Sequence, residues 1–121
     1  MEKGYNNDAA FDLHQAAERL YHCLLLTLTL YSPKSHKLNF LRSQAEPLVL
    51  DLIQVWPRDT KFARRCFELL QHAYVNARYS PHYKITPEEL EWLSERIEQL
   101  QKLVKDVCER RLRHHDAAQG E

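Results

Sequence analysis

Two arginine and histidine pairs carry residue types that could act on a phosphodiester: Arg65 with His72, six residues between them, and Arg78 with His82, three between. A guanidinium can hold a phosphate through parallel hydrogen bonds, and an imidazole can take or return the proton of a ribose 2′-hydroxyl. Arg65 and His72 are two helical turns apart, on one face but about 10 Å apart along the axis. Arg78 and His82 straddle a helix end and a loop containing Pro81. The same residues also read as surface groups around a loop anchored by Tyr79 and Tyr83. His14, Glu18 and His22 stand at i, i+4 steps and can approach one another on one helix face, as solvated surface pairs do. No His-Glu-x-x-His is present, and the adjacent His114 and His115 would point about 100° apart on a helix, so no metal site is expected. With glycine only at Gly4 and Gly120, a phosphate-cradling loop cannot be built and no cofactor is expected. A Gly-x-Ser-x-Gly nucleophile elbow is missing as well.

These groups have to be positioned by helices, because strand-like alternation of polarity is nowhere visible. Asp8 reads as the N-cap of a first helix running to about Leu30. Ala9, Leu13, Ala16, Ala17, Leu20, Tyr21, Leu24 and Leu28 recur along it at helical spacing. From Cys23 to Leu30 it is apolar almost all round, which marks a buried or partner-facing surface. Tyr31-Ser32-Pro33-Lys34 breaks the pattern, and Ser35 can cap a short helix through His36, Leu38, Leu41 and Ala45. Leu48 to Trp56 stays open between a short helical turn and an extended segment. Asp59 is a second N-cap candidate, for a helix through Phe62, Cys66, Leu69, Leu70 and Ala73 to about Arg78. Thr86-Pro87-Glu88-Glu89 combines a capping box with Pro at the first helical position. The final helix follows with Leu90, Leu93, Ile97, Leu100, Val104 and Val107, frays through Arg113-His114-His115, and leaves residues 114–121 as a disordered tail. Three long helices and one or two short ones predict an all-α, up-and-down four-helix bundle in a single domain over residues 1–121.

Composition sets the outer limits. A chain of 121 residues with 44% apolar side chains makes one domain that can bury a core without staples. Cys23, Cys66 and Cys108 are far apart in sequence and odd in number, which argues against a disulfide framework and against Cys-x-x-Cys chemistry. No run approaches the apolar length of a membrane span, and Met1 to Asp8 lacks an apolar h-region, so the chain reads as cytoplasmic. The formal net charge is zero, yet the charge is blocked. From Arg58 to Arg65, four basic residues face Asp59, while Thr86 to Gln101 sets five glutamates against Arg96. Lys102 to His115 is basic again. Acidic first turns and basic last turns are what a helix dipole favours, which accounts for the last two blocks.

The run from Ala9 to Tyr21, Ala-Ala-Phe-Asp-Leu-His-Gln-Ala-Ala-Glu-Arg-Leu-Tyr, is followed by Tyr31-Ser32-Pro33-Lys34-Ser35-His36-Lys37-Leu38. Together with Ala73-Tyr74-Val75-Asn76-Ala77-Arg78-Tyr79-Ser80-Pro81-His82-Tyr83-Lys84-Ile85-Thr86, it resembles the HEPN domain family, in particular the version fused behind bacterial nucleotidyltransferases. The resemblance implies a helical bundle that dimerises. It also implies nucleotide or RNA binding, and a nucleotidyltransferase partner in cis or in trans, in a toxin and antitoxin setting. Nothing here resembles the nucleotidyltransferase itself, so a stand-alone protein and an excised C-terminal domain both stay open. Family ribonucleases carry an Arg, then a His, near the end of the third long helix; here Tyr79 follows Arg78 where a polar residue is common, and His82 comes one residue too soon. A binding module is therefore favoured, with Gln15, Glu18, His36, Arg78 and Tyr79 as the matching ligand-binding candidates. In such a bundle Arg78 and His36 would share a groove with the polar stripe of the first helix. A metal-independent endoribonuclease using Arg78 and His82 is the alternative, and a dimerisation scaffold the third reading.

Overall fold

The computed structural model describes residues 2–119, with side chains from Asn6 to Arg113 apart from that of Arg78. Among the described residues all regular secondary structure is helical: α1 (Glu2–Thr29), α2 (Leu38–Ala45), a 3-10 helix (Leu50–Val55), α3 (Lys61–Tyr79) and α4 (Pro87–Gln119). None of these helices is long and apolar enough to cross a membrane. The expected helical bundle is present, with α1 at its centre, packed against α2, α3 and α4.

The buried row of α1, namely Ala10, His14, Ala17, Tyr21, Leu24 and Leu25, follows the alternating three- and four-residue steps of one helix face. The same period places Cys66, Leu70, Ala73 and Ala77 of α3 and Leu93, Ile97, Leu100 and Val104 of α4 in the core. Four of these positions on α1 and α3 are alanines, and small side chains let helix axes approach. The 3-10 helix closes one side with Leu52, Val55 and the following Trp56, all buried. Trp56 Nε1–H donates to the Tyr21 hydroxyl at 2.7 Å. Trp56 packs its ring on Phe67 at 5.1 Å between centroids, and the Arg42 guanidinium covers Phe67 at 4.0 Å from the ring centre. Burial holds the Tyr21 hydroxyl far above its ordinary pKa, so it stays a neutral hydrogen-bonding partner.

Helix boundaries depart from the sequence reading in ways the contacts explain. The first helix starts at Glu2, six residues before the expected Asp8 cap. Asn6 and Asn7 donate from their side chains to the Ile85 and Tyr83 carbonyls at 3.3 and 3.4 Å, so the early turns are held by tertiary bonds. α1 ends one residue early because Leu30 takes φ 62°, a left-handed conformation that costs a side chain with a Cβ. Its N–H bonds to the Leu26 carbonyl at 2.9 Å. The apolar stretch ending there divides: Leu24 and Leu25 are core, whereas Leu26 and Leu30 are 53% and 86% exposed.

Ser35 does not cap α2. It accepts the Lys37 N–H at 3.2 Å, and the helix begins only at Leu38, leaving His36 in the connection. The cause is His22 on α1, whose ring nitrogens bond to the Ser32 hydroxyl at 2.6 Å and the Ser35 carbonyl at 3.0 Å, holding this segment against α1. The open segment after Pro47 resolves as the 3-10 helix. Thr60, not Asp59, caps α3, accepting from the Ala63 N–H at 3.1 Å. The capping box of α4 forms as expected: Thr86 N–H donates to Glu89 at 2.8 Å and Glu89 N–H to Thr86 Oγ1 at 3.1 Å. α4 then continues to Gln119, past the expected fraying at Arg113 and through most of the segment expected to be disordered. Ala117, Ala118 and Gln119 are good helix formers and no breaker precedes Gly120, which with Glu121 lies outside the described residues.

Two substitutions check this account by urea unfolding. Tyr21→Phe leaves a buried indole N–H without an acceptor and should lower stability by about 1–3 kcal/mol. Leu30→Gly relieves the left-handed backbone and should raise the urea midpoint, by about 1 kcal/mol of stability.

Candidate functional site

Between the segment leading into α2 and the middle of α3 runs an open groove of about 880 Å³, walled by Lys34 to Lys37, Asn39, Phe40 and Ser43 on one side and Gln71, His72 and Tyr74 to Asn76 on the other. Its position follows from the His22 clasp. By fixing Ser32 and Ser35, His22 holds His36 outside any helix and turns it back onto α1. There His36 Nδ1 lies 3.0 Å from both carboxylate oxygens of Glu18. With Nδ1–H given to Glu18, the remaining nitrogen, Nε2, has no protein partner among the described residues, and the side chain is 57% exposed.

The His36 ring stacks on Tyr74, 4.5 Å between centroids and 10° from parallel. Tyr74 in turn meets Phe11 at 6.0 Å and His14 at 5.4 Å. The imidazole is thus fixed by a carboxylate at one edge and an aromatic ring on one face. Lys34 and Lys37 flank it in sequence and line the same groove, as does His72, whose Nε2 lies 3.2 Å from Glu68. The groove combines cations for phosphate, the side-chain amides of Asn39, Gln71 and Asn76, and the apolar surfaces of Phe40 and Val75. Such a set suits a polyanion attached to a flat, polar-edged ring system.

Glu18 is the hub of this arrangement. Besides His36 it lies 3.8 Å from His14 Nδ1 and 4.0 Å from His22 Nε2. The i, i+4 spacing therefore does bring these groups together, but His22 spends its nitrogens on Ser32 and Ser35. Among the described residues no group of three His, Cys, Asp or Glu is arranged to hold a metal ion. His14 is fully buried. Burial pushes its pKa below the ordinary 6.5, with Glu18 and a hydrogen bond to the His36 backbone opposing the shift.

The sequence candidates separate in space. Glu18 and His36 meet at the groove. Gln15 is half-buried on α1 and does not line it. Tyr79, 78% exposed, ends α3 beyond it. Arg78 is in the last turn of α3, its side chain outside the described residues. His82 sits exposed in the following turn, its N–H on Ser80 Oγ at 3.3 Å. It lines a smaller pocket of about 380 Å³ with Glu68, Lys84, His72 and Asn76. The last two residues also line the main groove, so the pockets adjoin. Arg65 and His72 do not act as a pair: Arg65 binds Glu89 at 2.9 Å, where it ties α3 to the α4 cap. The other two arginines of the basic block are engaged too, Arg58 with Glu46 at 2.8 Å and Arg64 with the Arg58 carbonyl at 2.7 Å. Tyr74, Lys34 and Lys37 are groove residues that the sequence reading did not assign, and His72 lines the groove without the Arg65 it was paired with. An aromatic next to Ala73 and Ala77 on a buried-period helix, facing a Lys-Ser-His-Lys segment, was the available signal for them.

A family model described as HEPN domain matches residues 1–107, so the chain belongs to the HEPN domain family of nucleotide- and RNA-related helical modules. Comparison with curated proteins finds no significant match.

His14 supplies a pH test. Because burial lowers its folded-state pKa below the ordinary 6.5, the unfolded chain binds this proton first as pH falls below that value, and stability is lost there. Above it, the ring is neutral in both states and adds no pH dependence. His14→Phe removes the titrating group and keeps an aromatic ring against Tyr74. Urea midpoints at about pH 7.5 and about pH 5.5 should therefore lie closer together in the variant than in the wild type.

Proposed function

We propose that this chain is a nucleotide- or RNA-binding helical module whose ligand phosphate sits among Lys34, His36 and Lys37. The observation that carries this reading is the His36 imidazole, fixed by Glu18 and Tyr74 with its Nε2 unpartnered, at a groove that also holds two lysines. Fixing the ring beforehand lowers the entropy lost when a ligand binds. Lysines contribute point charges for a phosphate, while a ring with an amide-lined edge nearby suits a base. The engagement of Arg58, Arg64 and Arg65 in intramolecular bonds favours this groove over the basic block as the anion contact. In the same reading the module works as a homodimer beside a nucleotidyltransferase, in cis or in trans, within a toxin and antitoxin pair; the likeness of its motifs to the bacterial fusion supports this.

Titration calorimetry with ATP and with a short 5′-phosphorylated single-stranded RNA tests the proposal. Replacing both lysines, Lys34→Glu with Lys37→Glu, should weaken binding at least about tenfold and flatten the salt dependence of RNA affinity by roughly one to two phosphate contacts. A double variant that binds as well as the wild type would place the ligand elsewhere. RNA recovered from the titration should be intact. Cleavage lost in His82→Ala would instead favour the endoribonuclease reading with Arg78 and His82.

A further inference from the structure

Of the described histidines, one is set up as a nucleophile. His14 is buried in the core, and His22 uses both ring nitrogens, on Ser32 Oγ and the Ser35 carbonyl. His72 meets only Glu68, one turn back on its own helix, with both side chains more than half exposed. The His82 ring has no bonded or stacked partner among the described residues. His36 differs from all four. Its Nδ1 lies 3.0 Å from both oxygens of Glu18, a carboxylate of α1 that is only 15% exposed. Its ring lies on Tyr74 of α3, 4.5 Å between centroids, and Nε2 is left without a protein partner at a groove lined by Lys34 and Lys37. A carboxylate on Nδ1–H selects the tautomer whose Nε2 carries the lone pair, and it raises the basicity of that nitrogen. The two ammonium groups supply the positive charge that a phosphoryl group in transfer requires.

We propose that His36 is a phosphorylation site, which accepts a phosphoryl group on Nε2 from a donor that carries it on nitrogen, a phosphoramidate or a phosphohistidine. A phosphoryl group on imidazole is readily lost to water, so the donor must hold its own no more tightly, and a P–N bond meets that condition. In the step, the Nε2 lone pair attacks phosphorus, the Nε2–P bond forms and the donor's P–N bond breaks. The donor nitrogen, protonated beforehand, leaves with the bonding electron pair, as ammonia from phosphoramidate. His36 gives up no proton. Nδ1–H stays on Glu18, whose carboxylate balances the positive charge that the ring gains, and Lys34 and Lys37 supply counter-charge to the phosphoryl oxygens. The added group brings about two negative charges to the place where the proposed function seats a ligand phosphate, and so excludes that ligand; the modification itself does not rest on that reading.

The test incubates the whole chain with phosphoramidate at neutral pH, without nucleotide, and follows intact and fragment masses under alkaline conditions. The first addition should be a single HPO3 unit on His36, stable in alkali and lost in acid, and alkaline hydrolysis should release histidine phosphorylated on Nε2. His36→Asn should leave only slower additions elsewhere. Glu18→Gln keeps an acceptor for Nδ1–H and removes the charge, so it should slow addition at His36 at least about tenfold while His72 and His82 react at the wild-type rate. Another histidine phosphorylated as fast as His36 would overturn the proposal, as would an Nδ1 product or a Glu18→Gln chain that reacts as the wild type does. Because no nucleotide takes part, a chain that binds ATP or RNA yet leaves His36 unmodified refutes this site alone. A chain modified at His36 that binds neither refutes the binding reading alone.

Discussion

Burial of α1 on three sides is the constraint from which the remaining architecture follows. A helix of this length whose buried row runs from Ala10 to Leu25 cannot be covered by one neighbour, so α2, α3 and α4 each take a side. The alanines of α1 and α3 permit close approach, and the larger residues gather at the Tyr21, Trp56 and Phe67 end. There the only polar atoms of the aromatic cluster satisfy one another, the indole donating to a phenol kept neutral by burial. The 3-10 helix exists in this setting because Leu52, Val55 and Trp56 complete the core; its own sequence is indifferent between helix and extended chain.

The polar side of α1 does a different job. His14, Glu18 and His22 occupy successive turns, and each has a different environment. His14 is desolvated in the core, His22 is a clasp for the connection to α2, and Glu18 receives His36 from that connection. The geometry of His36 is therefore two steps removed from its own sequence neighbourhood: His22 sets where the segment runs, and Glu18 and Tyr74 set how the ring lies. A rotation of His36 would break its hydrogen bond to Glu18 and unstack an aromatic contact together. Such doubly fixed side chains are what a binding site needs, since little freedom remains to be lost when a ligand arrives.

Charge shows a similar division. The basic run from Arg58 to Arg65 looks like an anion-binding stretch in one dimension, yet its arginines are turned onto Glu46, Glu89 and a backbone carbonyl. Glu89 illustrates why. It is nearly fully buried as a member of the α4 capping box, and an unpartnered carboxylate there would be costly, so Arg65 is held beside it. Lys34 and Lys37, two isolated lysines in an unremarkable loop, are left free to line the groove.

By itself the sequence determined the helical class, the number of long helices, the capping box at Thr86 and Glu89, and the family, because periodicity, caps and local motifs are properties of neighbouring residues. It also put Glu18 and His36 on one list of candidates. The tertiary structure alone decided that these two touch, that Tyr74 lies under His36, that Arg65 belongs to a cap, and that α1 begins at Glu2. Each of these depends on a contact between residues far apart in the chain: Asn6 with Ile85, His22 with Ser35, Arg65 with Glu89. Local propensities differ by only tenths of a kcal/mol per residue for ordinary side chains. A single well-placed tertiary hydrogen bond is worth about 1 kcal/mol, so where the two disagree the long-range contact sets the boundary and the site.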